Sequence, residues 1–188
     1  GDIFIPLDID KCKEVFEKLR KEKVEAIAVC FLNSFVNPTH EKTIKQLIEK
    51  NLPQIKYISL SHEVNPQIGE YYRASTTVLD AYVKPVMTEY LLKLRERLKN
   101  EGFRYDVFIA TCGGGIVPTD VASLKPVITI NSGPSLAPSA ATYFGKLANW
   151  NNVISIDMGG TSFDVVVCKD LIVPLRYLMQ IERFHFNV

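Results

Sequence analysis

Apolar and polar positions fall along this chain in blocks whose periods differ, and the periods predict the elements. Ile3 to Leu7 is a short apolar run, half of something longer. From Asp8 onward Ile9, Cys12, Val15, Phe16 and Leu19 recur at helical spacing, with Asp8 placed to cap the helix. Val24 to Leu32 is almost continuously apolar with Glu25 near its start, which predicts a parallel strand covered on both faces. Asn37-Pro38 predicts a helix with proline at its first position and Ile44, Leu47 and Ile48 facing inward. Ile55 to Leu60 predicts the next strand, and this alternation implies right-handed crossovers on one sheet.

Ser61 to Arg73 breaks the alternation, with Pro66 and Gly69 inside a polar stretch, and a domain boundary is expected there, giving domains 1–65 and 66–188. Val78, Tyr82, Val86, Tyr90, Leu94 and Leu98 then predict one long helix over 74–100, which Pro85 should kink near Ala81 and Gly102 should end. Val107 to Ala110 reads as a buried strand leading into Thr111-Cys112-Gly113-Gly114-Gly115. A short helix over 119–124, a strand over 127–130 and a helix from Ser132 to about Asn149 come next. Val153 to Ile156 and Val165 to Val167 read as paired strands, and Leu171 to Leu175 as one more. Arg176 to Val188 stays apolar without a clear period, and no internal repeat is visible. The class is α/β, with a mixed sheet expected in the second domain.

Composition narrows the function classes. At 188 residues, 47% apolar and 23% charged, the chain is that of a soluble globular protein with length for a sizeable core. A formal charge of +1 gives no case for nucleic acid or anionic membrane. The densest basic stretch, Lys93 to Lys99, is interleaved with Glu96 and leucines and reads as a solvated helix face. No apolar run reaches membrane-spanning length and no signal peptide opens the chain. Cys12, Cys30, Cys112 and Cys168 lack metal-ligand or disulfide spacing, which suggests reduced thiols and a cytoplasmic protein, with Cys112 a small packing residue at a strand end.

The candidate chemistry centres on Asp157-Met158-Gly159-Gly160-Thr161-Ser162-Phe163-Asp164. A turn centred on Gly160-Thr161 places Asp157 opposite Asp164, and like charges facing across a ladder call for a cation nearby. Paired glycines expose backbone N–H groups, and Thr161 and Ser162 add hydroxyls, a set suited to phosphate oxygens and magnesium. On spacing alone the commoner reading is a tight hairpin with solvated aspartates. Gly113, Gly114 and Gly115 after a strand read equally as close approach to a ligand or as a flexible connector. Ser132-Gly133 at a helix start is anion-binding geometry or an ordinary capped helix. His62 at a strand end is a weak site candidate beside the plainer reading of a hydrogen-bonding residue.

Asp157-Met158-Gly159-Gly160-Thr161-Ser162, followed by Asp164-Val165, resembles the phosphate hairpin of the hydantoinase/oxoprolinase A-subunit family, which includes N-methylhydantoinase, 5-oxoprolinase and acetone or acetophenone carboxylase subunits. Ser61-His62-Glu63, Arg73-Ala74-Ser75-Thr76-Thr77-Val78, Cys112-Gly113-Gly114-Gly115 and Ser132-Gly133-Pro134 agree with the family in the same order, so the resemblance covers nearly the whole chain. It implies an actin/hexokinase/Hsp70-like (ribonuclease H-like) ATPase fold, here in part: the end of the family's N-terminal domain over 1–65 and the beginning of its hydantoinase A domain over 66–188. It further implies ATP and Mg2+ as cofactors, with Gly159, Gly160, Thr161 and Ser162 cradling phosphate. Asp157 and Asp164 would act as catalytic and metal-holding residues, and Gly113 to Gly115 with Ser132 and Gly133 would line the cleft from the other side. The implied reaction is phosphorylation of a cyclic amide (hydantoin or 5-oxoproline) for ring-opening hydrolysis, or activation of a ketone for carboxylation. Implied partners are a B-type subunit and further copies of the chain. Leu136-Ala137 stands where many members carry a glycine pair, a departure that resembles the ketone-carboxylase branch and questions the substrate more than the nucleotide chemistry. The family's first phosphate hairpin and its long C-terminal part are not in these residues, so the chain reads as a fragment of a larger enzyme. A non-catalytic interaction domain that keeps the fold is the reading from another class.

Overall fold

The computed structural model describes residues 1–181 and 183–187. It divides into two compact units: residues 1–90 with the described residues from 178 onward, and Leu91–Tyr177. The division into these units falls inside the long helix, between Tyr90 and Leu91.

In the first unit, helix α1 (Ile9–Lys21) starts where Asp8 accepts the Lys11 N–H at 3.0 Å. Strand β1 (Ala26–Val29) leads through α2 (Thr39–Asn51) to β2 (Tyr57–Leu60), which pairs with β1 in parallel from Ala26 opposite Tyr57 to Val29 opposite Leu60. Phe16, Ile27, Val29, Ile44, Ile48, Leu52, Ile55 and Leu60 form one apolar cluster between these helices and the strand pair. Each such side chain, fully buried, contributes roughly 1.5–3 kcal/mol. Pro38 lies one residue before α2 rather than within it, and the Thr39 N–H is held instead by Asn37 Oδ1 at 3.1 Å.

After the single turn α3 (Ser61–Val64), helix α4 (Glu70–Asn100) runs through Pro85 and begins about one turn earlier than its pattern predicts. Its first turns bury polar side chains: Arg73, Thr76, Thr77 and Asp80 are fully buried. Asp80 accepts the Ser59 hydroxyl at 2.6 Å and pairs with Lys84 at 3.0 Å. Ser59 and Leu60, adjacent on β2 and therefore on opposite faces, are both fully buried, whereas β1, the strand expected to be covered on both faces, buries Ile27 and Val29 and leaves Ala26 and Ala28 only half-buried. The last segment, aperiodic in sequence, forms an antiparallel pair, β7 (Leu178–Ile181) with β8 (Phe184–Asn187), and the Asn187 N–H reaches Thr76 Oγ1 at 2.9 Å.

In the second unit, β3 (Phe108–Ala110) and β4 (Ile116–Pro118) form an antiparallel pair around the glycine loop. Phe108 is exposed, so β3 is not the buried strand its apolar run suggests. Helix α5 (Thr119–Leu124) comes next, and then Pro126–Thr129 forms a 3-10 turn where a strand is expected. Local bonds from Ile128 N–H to Lys125 O (3.3 Å) and from Ile130 N–H to Val127 O (3.2 Å) close that turn, and Ile128 O accepts the Cys112 N–H at 2.7 Å just past the end of β3 without a ladder forming. Helix α6 (Ser132–Leu147) packs on the antiparallel ribbon β5 (Val153–Met158) and β6 (Phe163–Cys168). The contact passes through Gly145, where an added Cβ would lie 2.6 Å from Val153 Cγ1. Residues 171–175 form no strand beyond the isolated bridge of Lys169 with Ile172. Among the described residues, four two-stranded sheets therefore stand where one sheet and a mixed sheet are expected. All four cysteines are free, and no helix among the described residues is long and apolar enough to cross a membrane.

Candidate functional site

The ribbon β5–β6 gives the site its frame. Its register sets Val153 opposite Cys168, Ser155 opposite Val166 and Asp157 opposite Asp164. These pairs share the face turned toward α6, whereas Ile154, Ile156 and Met158 with Phe163, Val165 and Val167 lie exposed on the other. The two aspartates thus end a covered face, half-buried and directly opposed, at the turn end of the ribbon.

Gly159, Gly160, Thr161 and Ser162 make the tip. The Gly159 N–H donates to Ser162 O at 3.0 Å and closes the turn, so this amide is not free for a ligand. Gly160 and Thr161 make no hydrogen bond within the described residues, and a Cβ on Gly160 would meet nothing within 4 Å. Nothing in the chain's own packing therefore requires Gly160 to be glycine. The Ser162 hydroxyl donates to Asp164 Oδ2 at 2.9 Å. Neither Asp157 nor Asp164 has an ion-pair partner among the described residues. Two opposed carboxylates without a cation repel, and a divalent ion with oxygen preference would relieve that repulsion. The donor set thus fits magnesium, although no group of three or more His, Cys, Asp or Glu among the described residues is placed to hold a metal by itself.

The glycine loop and the start of α6 come together. Gly114 adopts φ +75°, and a Cβ there would lie 3.1 Å from Ser135 O and 3.2 Å from Ser139 Oγ. Both the positive φ and the close approach to α6 require glycine at this position. The loop also binds itself, with the Thr111 N–H on Gly115 O at 2.9 Å and the Gly114 N–H on Thr111 O at 3.0 Å. Gly113 and Gly115 are less constrained, their Cβ positions meeting Thr111 Oγ1 at 3.9 and 3.7 Å. At the head of α6, Asn131 takes a left-handed conformation with φ +57° and supplies no side-chain cap, and a Cβ on Gly133 would meet nothing within 4 Å beyond its own turn of helix. The first amides of a helix without a side-chain cap point at whatever anion or solvent lies before them. Leu136 is exposed and is not among the atoms nearest Gly114. Burial pushes the Cys112 thiol up from its ordinary value, consistent with packing rather than a reactive thiolate.

One group of polar residues is not singled out by the sequence pattern. Glu41 is fully buried in the first unit and accepts four hydrogen bonds: Ser61 Oγ at 2.5 Å and Phe31 N–H at 3.0 Å on Oε1, His62 N–H at 3.0 Å and His62 Nδ1 at 2.7 Å on Oε2. Burial pushes its carboxyl up, but the Ser61 hydroxyl, both His62 groups and the Phe31 amide outweigh burial and hold it below its ordinary value. A signal for it does exist in the sequence: Glu41 lies three residues before Ile44 and seven before Ile48, on the inward face of α2.

Residues 73–188 match the hydantoinase/oxoprolinase family model, and residues 1–52 match the model of the hydantoinase/oxoprolinase N-terminal region. The chain is 37% identical to caprolactamase subunit alpha of Pseudomonas jessenii, over 90% of this chain and 24% of that one. It is 31% identical to the acetophenone carboxylase gamma subunit of Aromatoleum aromaticum, over 100% of this chain and 26% of that one. Its fold superimposes on the crystal structure of ATP-dependent caprolactamase from Pseudomonas jessenii with a TM-score of 0.80, 36% identity and coverage of 89% of this chain and 24% of that one. The nucleotide-free structure of acetone carboxylase gives 0.86, 25% identity and coverage of 98% and 26%. The chain spans about a quarter of the length of these relatives.

Proposed function

Since the chain belongs to the hydantoinase/oxoprolinase family, we propose that it forms part of an ATP-dependent enzyme that phosphorylates a cyclic amide, such as a hydantoin or 5-oxoproline, for ring-opening hydrolysis. The observation that carries this reading is the opposition of Asp157 and Asp164 at the glycine-tipped turn end of the β5–β6 ribbon. Phosphoryl transfer is mostly positioning and charge stabilisation. In this reading the amides of Gly160 and Thr161 and the hydroxyls of Thr161 and Ser162 bind phosphate oxygens, while Gly159 holds the turn closed. Asp157 and Asp164 hold Mg2+, directly or through water. Magnesium, when bound, neutralises charge developing on the transferred group. Gly113, Gly114 and Gly115 with Ser132 and Gly133 form a second set, in which Gly114 fixes the loop on α6 and the open amides at the helix start face an anion.

The same reading assigns the fold to the actin/hexokinase/Hsp70-like class. It assigns residues 1–65 to the family's N-terminal domain and 66–188 to its hydantoinase A domain, a division supported by the two family models falling on either side of residue 65. It includes a B-type partner subunit and self-association, supported by relatives that are themselves named as subunits. A second reading, activation of a ketone for carboxylation, is favoured by Ser132-Gly133-Pro134-Ser135-Leu136-Ala137-Pro138 and by the match of the whole chain to an acetophenone carboxylase subunit.

The test is ATP consumption by the intact enzyme with its partner subunits, supplied in turn with hydantoins, 5-oxoproline, lactams, and ketones with bicarbonate. ADP formed in step with ring opening supports the first reading, and ADP formed only with a ketone and bicarbonate supports the second. No ATP consumption with any of them overturns both.

A further inference from the structure

Strands β1 and β2 run in parallel and end side by side, and at that edge β2 passes into Ser61-His62-Glu63. Carboxyl ends of parallel strands are where ligands bind in α/β sheets, because the connections diverge there and leave a crevice. The buried Glu41 carboxylate, with its four donors, can act only as an acceptor toward the imidazole, so His62 Nδ1 carries the proton facing Oε2 at 2.7 Å. Nε2 is then the nitrogen whose lone pair is available in the neutral ring. It makes no hydrogen bond within the described residues, and Glu63 Oε1 lies 3.9 Å from it. The His62 side chain keeps 12% of its surface exposed and that of Glu63 keeps 52%, so solvent reaches both. Arg73, a buried guanidinium of this unit, gives its two terminal nitrogens to the carbonyls of Gln67 and Phe31, each at 2.9 Å, while its Nε is buried without a hydrogen-bond partner among the described residues.

His62 Nε2 and the Glu63 carboxylate, 3.9 Å apart, are thus two electron-pair donors side by side, a pairing that suits an electron-poor ligand. An imidazole with a carboxylate suits divalent transition metals, whereas magnesium prefers oxygen alone. Histidines that ligate metals characteristically donate their other ring N–H to a carboxylate, which fixes the tautomer and raises ligand basicity. Glu41 stands in that relation to His62. We propose that His62 Nε2 and the Glu63 carboxylate bind a divalent transition-metal ion of the Zn2+ type, with Glu41 as the positioning residue that orients the imidazole. No third His, Cys, Asp or Glu joins them among the described residues. The remaining coordination positions are left to water or to a ligand, as in open rather than structural zinc sites. This site is independent of the phosphate hairpin and does not rest on the nucleotide reading.

The test uses the full chain freed of metal with a chelator and titrated with Zn2+ by calorimetry, alongside 15N spectra of the histidine rings. The expected result is one saturable equivalent that moves the His62 Nε2 resonance while Nδ1 stays protonated. Glu63→Gln, an exposed change that leaves the fold intact, should weaken binding about tenfold, and His62→Gln should abolish it. Glu41→Gln should weaken it about 10–100-fold. Zn2+ binding that leaves the His62 ring resonances unmoved, or equal affinity in Glu63→Gln and the parent chain, overturns the proposal.

Discussion

Glu41 and Asp164 each accept a hydrogen bond from a nearby serine, Ser61 at 2.5 Å and Ser162 at 2.9 Å, yet the two carboxylates end in opposite states. Glu41 is fully buried and accepts from four donors on three different residues. Asp164 is half-buried, faces Asp157 across the ribbon and has no ion-pair partner among the described residues. A saturated carboxylate has no capacity left for a ligand and serves to position its neighbours. An unsaturated one opposed by a like charge is destabilised by itself and gains from whatever cation arrives. In this chain the residues that hold structure and those available for chemistry are therefore separated by hydrogen-bond accounting, not by residue type.

The largest test of that contrast is Glu41→Ala. Removing one partner from a buried charged network leaves the Phe31 and His62 donors unsatisfied, and a loss of about 3–5 kcal/mol is expected. Urea unfolding of the chain measures it, and a loss below about 1 kcal/mol would place Glu41 among solvated residues after all. The same network sets an acid limit. Because the folded-state carboxyl is held below its ordinary value, its contribution is complete above the unfolded value and disappears as pH falls through the folded one. Stability should therefore drop below about pH 4 in the parent chain, with the Glu41-dependent part of the drop absent from Glu41→Gln.

On the other side of the comparison, Asp164→Asn in the intact enzyme should lower magnesium-dependent ATP turnover by well over about tenfold while the fold persists, because the change is nearly isosteric. Circular dichroism with steady-state ADP release checks both halves, and unchanged turnover would remove Asp164 from the proposed site. Gly114→Ala comes next in size. It forces an L side chain to φ +75° and into Ser135 O at 3.1 Å, so about 1–2 kcal/mol of stability should be lost. Gly160→Ala, whose Cβ meets nothing, should cost far less in stability and act instead on nucleotide affinity.

These differences also mark what the sequence makes legible. The strand–helix–strand unit is readable from Val24 to Leu32 and Ile55 to Leu60, because continuous apolar runs joined by one amphipathic helix have few other solutions. The aspartate opposition comes from turn arithmetic alone. Val127 to Ile130 misleads because β-branched composition reports a preference for packing, not a pairing partner, and after Pro126 the backbone closes local bonds instead. The three glycines after β3 look alike in sequence, but only Gly114 has the φ and the contact that demand glycine, and both depend on α6, which lies later in the chain. Glu41 is the instructive omission: its position on the inward face of α2 is readable, but its donors come from residues 31, 61 and 62, and such long-range satisfaction has no local signature.

The smallest expected effect has the opposite sign to the first and therefore tests the comparison most directly. Asp157 and Asp164 face each other with no ion-pair partner among the described residues, and like charges opposed on neighbouring strands are destabilising by a few tenths to about 1 kcal/mol. Asp157→Asn should thus stabilise the metal-free chain by about that much at low ionic strength. The gain should shrink as salt is added, since half-buried charges near solvent are screened over a Debye length of about 10 Å at 0.1 M. Magnesium should stabilise the parent chain more than Asp157→Asn, because the ion relieves a repulsion that the substitution has already removed. Thermal melts at two salt concentrations, with and without magnesium, measure all of this. A loss of stability in Asp157→Asn that does not depend on salt would mean that the aspartate is satisfied within the chain, like Glu41, and the distinction between the two carboxylate groups would fail.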